Sequence, residues 1–313
     1  MPSFSCTVED FIPSGLRLDS YIAQHLKILS RSQIKARKLE ACLGGKAVKI
    51  SRVLKPGDRL ELSWNEPESL FLIPQDLPLD IIYEDKRVIV VNKAQGMVVH
   101  PGAGNRQGTL ANALLYRGLE IMGRESTAED QGLRPGIVHR LDKDTSGVMI
   151  AAWDEQAHAF LSRQFKARKV RKIYAAIVLG CPKDKTGFID KKIIRSPRDR
   201  KTFTVSDKEG KPSITYFRLV RSWKNYSLLL LRPKTGRTHQ LRVHLKHLGN
   251  PILGDPVYGR SDSFFPQASL MLHAKSLSLV LPGHKQPQKF RTVLPVRFKK
   301  MIRILDDCKG KSE

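Results

Sequence analysis

The chain is short of cysteine, of acid, of aromatic rings and of long apolar runs, and each shortage removes a class of explanation. Its four cysteines, Cys6, Cys42, Cys181 and Cys308, lie far apart and form no Cys-x-x-Cys pair. That argues against a zinc ribbon and against a disulfide framework, and fits a reducing, cytoplasmic setting. No apolar stretch approaches the roughly 20 residues that a membrane-crossing helix needs. The opening MPSFSCTVEDFIP carries acids and lacks the apolar centre of a secretory leader. His-Glu-x-x-His is absent, and no glycine-rich dinucleotide fingerprint opens a βαβ unit. Acids number 30 against 55 Lys and Arg, a formal net charge of +25. Such an excess speaks to partners rather than to fold and favours a polyanion, nucleic acid first. A merely solvated basic surface is the competing reading. With 41% hydrophobic residues in 313, the chain can bury the cores of one large and one smaller domain.

What is present gathers around GIVHRLDKDTSGVMIAA, residues 136–152. His139 and Arg140 stand beside Asp142, a small polar run follows, and VMIAAW has the composition of a buried strand. An acid and an arginine in a tight loop on a hydrophobic strand is one way to hold a reactive group rigidly. A turn with a structural Asp–Arg pair is the alternative.

Along the chain, residues 1–14 read as an edge strand or lead-in. Leu18, Ile22 and Leu26 have helical spacing. Ser30 with Gln33 has the spacing of a capping box, and the helix it starts should end by Gly44 and Gly45. Arg31, Lys35, Arg37 and Lys38 make that helix basic, and residues 1–60 hold 11 Lys or Arg against 5 acids. Two short alternating strands close a module over 15–64. Residues 65–79, with three prolines, read as a linker, 80–305 as the large domain and 306–313 as a tail. Within the large domain the patterns predict a helix over 108–116 capped by Thr109, then a polar excursion over 117–135. Further on they predict a helix over 154–168, a strand over 173–180, turns over 181–212 and a hairpin around Lys224 and Asn225. Last come a helix capped by Thr238, a strand from Met271 and a terminal helix. Many strands with few helices between them indicate an α+β fold with a mixed, mainly antiparallel sheet.

The reactive candidates are His139, Arg140, Asp142, Tyr174, Arg237, His239 and Arg242. His239 and His244 lie five apart with few acids nearby, so a metal site is weakly supported. Ser146 lies near His139 and Asp142 but not in a nucleophile elbow. Tyr174 could equally be a sheet tyrosine at the edge of the core.

Four blocks decide among these readings: NKAQGMVVHPGAG, HRLDKDTSG, RKIYAAIVLG and GRTHQLRVHLKHLGNPILGDPVYG. In this order they resemble the RluA-like family of RNA pseudouridine synthases over nearly the whole span from Asp80 to about Arg297. HRLDKDTSG is the most specific of them, and Ala94-Gln95 departs from the more usual Pro-Ala. The stretch RLDSYIAQHL…SRSQIKARKLEACLGGKAVKISRVLKPGDRLEL resembles the S4 RNA-binding fold, with Leu43–Gly45 in place of a Val-Asn-Gly turn. The resemblance implies a catalytic domain of pseudouridine synthase type behind a small S4-like domain. It implies that Asp142 is the essential acid, by attack on C1′ or by removal of the 2′ proton. A neighbouring cation would favour its ionised form, and Arg242, or else Arg237, is the implied partner. Tyr174 would stack on the base and help C5 lose its proton. Arg140 would enter the space left by the flipped base, with Arg237, His239, Arg31, Lys35 and Lys38 on RNA. His139, Thr145 and Gly147 would shape the loop. The expected partner is ribosomal RNA, most specifically of the large subunit, met by a monomer without cofactor or metal. A non-catalytic RNA-binding protein and an RNA glycosidase are the rival classes.

Overall fold

The computed structural model describes residues 1–65, 72–102, 104–122 and 136–309, arranged as two units, Met1–Phe71 and Leu72–Glu313. Residues 66–71 of the linker, residues 123–135 of the excursion and residues 310–313 of the tail lie outside the described residues.

In the first unit β1 (Ser3–Thr7), β2 (Glu40–Leu43), β3 (Lys46–Ala47) and β4 (Arg59–Ser63) form an antiparallel sheet ordered β1-β4-β2-β3. Residues 1–14 are therefore not a separate lead-in. Cys6 and Val8, two apart on an extended chain, both turn into the unit's core while β1 hydrogen-bonds along β4. The first helix opens as α1 (Leu18–Ser20) and continues from Tyr21 to Leu26 with the wider π winding, which buries both Tyr21 and Ile22. α2 (Arg31–Ala36) starts at the expected capping box. Gln33 Oε1 accepts the Ser30 amide at 2.7 Å, and Ser30 Oγ accepts the Gln33 amide at 3.3 Å. Such a cap is worth about 1 kcal/mol. The helix stops at Ala36, well short of the glycines. Gly44 and Gly45, at φ 55° and 80°, instead make the tight turn from β2 to β3, where only residues tolerant of positive φ fit.

The second unit holds β5 (Ile81–Glu84), β6 (Val88–Lys93), β7 (Gly136–Ile137), β8 (Ser146–Ala152), β9 (Arg171–Leu179), β10 (Thr186–Asp190), β11 (Lys192–Arg195), β12 (Phe203–Ser206), β13 (Ile214–Ser222), β14 (Tyr226–Pro233), β15 (Leu272–Val280) and β16 (Pro287–Arg291). Its helices are α3 (Leu110–Met122), α4 (Glu155–Lys166), α5 (Gln240–His247) and α6 (Val296–Lys309). The main sheet runs β10-β13-β14-β9-β15-β8-β6-β5, with β16 on β15 and β7 on β8, while β11 and β12 form a separate ribbon. Among these pairings only β8 with β15 is parallel, so the sheet is mixed and mainly antiparallel, as the pattern of elements indicates. β8 is buried along its whole length. Val148 and Ile150 pack toward Ala157 and Leu161 of α4, while Met149 and Ala151 pack toward Leu110 and Leu114 of α3. Cover on both faces is why this strand reads as an unbroken apolar run.

Four expectations need correction. α3 continues through residues 117–122, which look polar but extend a helix whose Thr109 and Asn112 cap each other. Residues 186–206 contain three strands rather than turns alone, anchored by buried Ile189 and Ile193. α6 runs past residue 305 into the supposed tail, because Phe298, Met301 and Leu305 bury one face of it. Thr238 does not cap α5. Gln240 Oε1 accepts from the Arg237 amide and the Thr235 hydroxyl, and that turn places His239, at φ 55°, just before the helix.

Candidate active site

The loop carrying Asp142 leads into the buried start of β8 and is tied down on several sides. The Thr145 amide donates to the Asp142 carbonyl at 3.1 Å, closing a turn. Gly147 sits at φ 123°, and a Cβ there would stand 2.2 Å from the Ala274 carbonyl oxygen, so β8 and β15 can approach only with glycine at this point. Lys93, almost wholly buried, donates from Nζ to the carbonyls of Ala94 and Met97 at 2.8 Å and of Lys143 at 3.0 Å. Burial pushes its pKa down to about 8, against the pull of Asp144 and Asp142. His139 accepts the Ile150 amide at Nε2, 3.1 Å, and stacks on Phe165 with ring centres 4.6 Å apart. Burial, helped by the Lys172 charge, takes its pKa to about 3, so the imidazole is neutral and holds the loop as an acceptor.

Beyond this loop opens a cavity of about 470 Å³ lined by Arg140, Asp142, Lys172, Tyr174, Arg237, His239 and Arg242, among others. Arg242 Nη1 stands 3.6 Å from Asp142 Oδ2. Its principal partner is another acid, however. Nε and Nη2 donate to Asp255 at 2.7 and 2.6 Å in a buried two-pronged pair. Asp255 Oδ1 also accepts the Val257 and Tyr258 amides at 2.9 Å. Burial works against the Asp255 charge, but the Arg242 hydrogen bonds and charge outweigh it and hold the carboxyl below its usual range. The fork therefore fixes the guanidinium plane, and the remaining nitrogen faces Asp142.

His239 Nε2 lies 4.0 Å from the same Asp142 oxygen. The Phe203 amide donates to the Tyr258 hydroxyl at 2.9 Å, and that hydroxyl pairs with His239 Nδ1 at 2.8 Å. With the hydroxyl as donor to Nδ1, the ring proton sits on Nε2, the nitrogen that faces Asp142. Burial lowers the His239 pKa against the pull of Asp142, which favours the neutral ring. Tyr174, from the middle of the sheet, has its phenol pKa raised by burial and by the Asp142 charge, so its O–H stays protonated. Arg237 reaches the cavity with a buried Nε that has no hydrogen-bond partner, and Arg140 is exposed at its edge.

The fold thus brings together Asp142, Tyr174, Arg237, His239 and Arg242, with Arg140 on the cavity wall and His139, Thr145 and Gly147 in the supporting loop. Arg31, Lys35 and Lys38 belong to the first unit. There Lys35 and Lys38 are exposed, while Arg31 contacts the Ser20 hydroxyl and lies 3.9 Å from Asp19. The sequence reading passed over Asp255, Lys93, Lys172 and Tyr258. Asp255 and Tyr258 both sit at the end of the GRTHQLRVHLKHLGNPILGDPVYG block, but as members of a glycine- and proline-rich loop they gave no sign of a partner. Ser146 is 4% exposed and pairs with His273 at 2.8 Å and Arg297 at 2.7 Å, so its hydroxyl is engaged away from His139. Among the described residues no three His, Cys, Asp or Glu side chains converge as metal ligands.

Residues 87–247 match the family model described as RNA pseudouridylate synthase. The chain is 43% identical over 291 residues to the ribosomal large subunit pseudouridine synthase D of Borreliella burgdorferi, covering 91% of this chain and 88% of that one. It is 41% identical over 303 residues to an uncharacterized RNA pseudouridine synthase of Aquifex aeolicus, covering 93% and 94% of the two chains. Among solved structures it resembles human RNA pseudouridylate synthase domain containing 4, with a TM-score of 0.59, 27% identity, and coverage of 72% of this chain and 92% of that one. The chain belongs to the RluA-like family and is an RNA pseudouridine synthase.

Proposed function

We propose that this enzyme isomerises particular uridines of large-subunit ribosomal RNA, with Asp142 acting at C1′ of a nucleotide turned out of its stack. One observation carries the reading. The Asp142 carboxylate faces a cavity beside a guanidinium whose orientation is fixed by a second, buried carboxylate. The substrate class rests on the printed name of the Borreliella relative and on the net charge of +25.

The N1–C1′ bond breaks, the uracil turns within the cavity, C5 bonds to C1′, N1 takes up a proton and C5 loses one. Asp142 serves either by adding to C1′ or by taking the 2′ proton, and in both routes it must start as a carboxylate. Arg242 holds that charge in place, and the His239 imidazole adds a second polar neighbour. Tyr174 keeps its proton, so it enters as a ring surface against the base and as a hydrogen-bond donor, not as a phenolate base. The detached uracil stays bound and becomes the next nucleophile, so water must be kept out. Glycosidases, by contrast, bring a second carboxylate to recruit it. Bonds rearrange without redox or group transfer, so the reaction requires no cofactor.

A base inside a helix shields C1′, so the target nucleotide must be extruded. Arg140, exposed at the cavity edge, is placed to fill the gap, with Arg237 on the flanking backbone. Lys35 and Lys38, and less freely Arg31, give the first unit a phosphate-binding role of S4 type. The enzyme would act as a monomer on cytoplasmic ribosomal RNA. Carbodiimide-stop sequencing of RNA from cells with and without the protein tests the substrate. Discrete large-subunit sites should disappear, and loss confined to transfer RNA would overturn that part.

A further inference from the structure

β9 separates two surfaces. Lys172 and Tyr174 turn into the catalytic cavity, and Arg171 and Ile173, one residue out of phase, turn to the opposite face of the sheet. On that back face lies a second cleft of about 460 Å³. Six cations line it, Arg171, Arg218, Arg232, Lys275, Lys289 and Arg291, and no carboxylate does. Among the described residues none of the six makes an ion pair.

The cleft also has a row of flat groups at one end. Phe188 of β10 pairs in register with Tyr216 of β13, and Tyr216 pairs with Arg232 of β14. The two rings stand 6.1 Å apart, and the Arg232 guanidinium lies 4.5 Å over the Tyr216 ring. Phe188 is 65% exposed although it is a large apolar side chain on a regular strand. A folding role does not explain that exposure, since the side chain is not buried. The other cations continue the row through Arg171 on β9, Lys275 on β15 and Lys289 and Arg291 on β16. Six strands at about 4.8 Å spacing span roughly 24 Å, room for several nucleotides.

We propose that this back face is a second RNA-binding surface, distinct from the catalytic cavity, which takes a single-stranded segment. Bases stack on Phe188 and on the Tyr216–Arg232 pair, and phosphates run over Arg218, Arg171, Lys289 and Arg291. Rings set side by side on a sheet can engage only bases that are not already stacked in a duplex, which selects single strands over helices. The absence of any acid in the cleft favours a polyanion over a protein of mixed charge. This assignment rests on RNA being the ligand of the chain, but not on isomerisation.

The test uses the full chain with a short fluorescent oligouridylate and, separately, a blunt RNA duplex. Arg218→Ala/Arg232→Ala/Arg291→Ala should weaken oligouridylate binding at least tenfold and lower the slope of log affinity against log salt by about two. Phe188→Ala/Tyr216→Ala should weaken it about tenfold with the slope unchanged. Arg218, Arg232, Arg291 and Phe188 are exposed and Tyr216 is half-buried, and matching thermal melts would show that the fold is retained. 4-Thiouridine in the probe should cross-link to peptides containing Phe188 or Tyr216. Unchanged affinity and slope in both variants would overturn the proposal, as would stronger binding of the duplex. Wild-type protein that bound neither RNA would instead overturn the substrate reading beneath it.

Discussion

The two clefts of the second unit have nearly the same volume, about 470 and 460 Å³, and opposite internal chemistry. In the catalytic cavity the Arg242–Asp255 pair is buried, and each charge has its partners at 2.6 to 2.9 Å. On the back face the cations are mostly exposed and no acid answers them. Buried charges must be satisfied by other protein groups, and that requirement fixes their geometry. Exposed cations are satisfied by water until a ligand arrives, so they can follow a flexible strand but cannot position a reacting atom. Two hollows of equal size therefore suit different tasks, one precise and one adaptable.

The sharpest way to break this contrast is to remove the acid that disciplines the cavity. Asp255→Asn should leave the Arg242 cation buried without its fork, costing roughly 3–5 kcal/mol of stability. Urea unfolding would measure the loss. The freed guanidinium should also turn toward Asp142, so pseudouridine formation should fall more than RNA affinity. Near-normal stability and rate would mean that the fork is not what aligns Arg242.

A smaller effect separates the two faces by pH. His244 and His273 are buried and His139 is half-buried, and desolvation depresses their pKa values to about 4, 4 and 3. Their folded values lie below the unfolded value near 6.5, so the unfolded chain binds more protons between the two. The stability they contribute is full above about pH 6.5 and is lost as pH falls toward their folded values. His139→Leu should flatten the fall of unfolding free energy between pH 6.5 and 5 by up to about 1.4 kcal/mol per pH unit. An unchanged slope would contradict the neutral state assigned to His139. The back cleft has no histidine in its lining, so its RNA affinity should change little over the same window.

The local parts of this architecture are legible in the sequence itself. The capping box at Ser30, the apolar run of β8 and the helix carrying Ala157 and Leu161 are short-range patterns with a direct physical cause. Asp142, Arg242 and Tyr174 came from motif blocks rather than from periodicity. What the sequence could not display is pairing across distance. Asp255 sits 13 residues beyond Arg242 in a loop, and nothing in GDPVYG says that its carboxylate meets a guanidinium. Lys93 gave no sign of its role either, because three backbone carbonyls satisfy it and no acid near it in the sequence does. The back cleft was hidden for a related reason. Tyr216 and Arg218 alternate visibly with Thr215 and Phe217, but only the strand order brings them beside Phe188, Arg171 and Arg291. The missed strands over 186–206 lie at the edge of the sheet or outside it, where charged residues replace the apolar alternation that marks a strand.

The most direct test of the central claim is single-turnover pseudouridine formation by Asp142→Asn at saturating RNA. The substitution keeps the shape of the side chain and removes its charge. RNA affinity should remain within about twofold of wild type, because binding is spread over many cationic contacts, and no pseudouridine should form. Pseudouridine formed at a rate near that of the unaltered enzyme would contradict the assignment of Asp142 as the acid that acts at C1′.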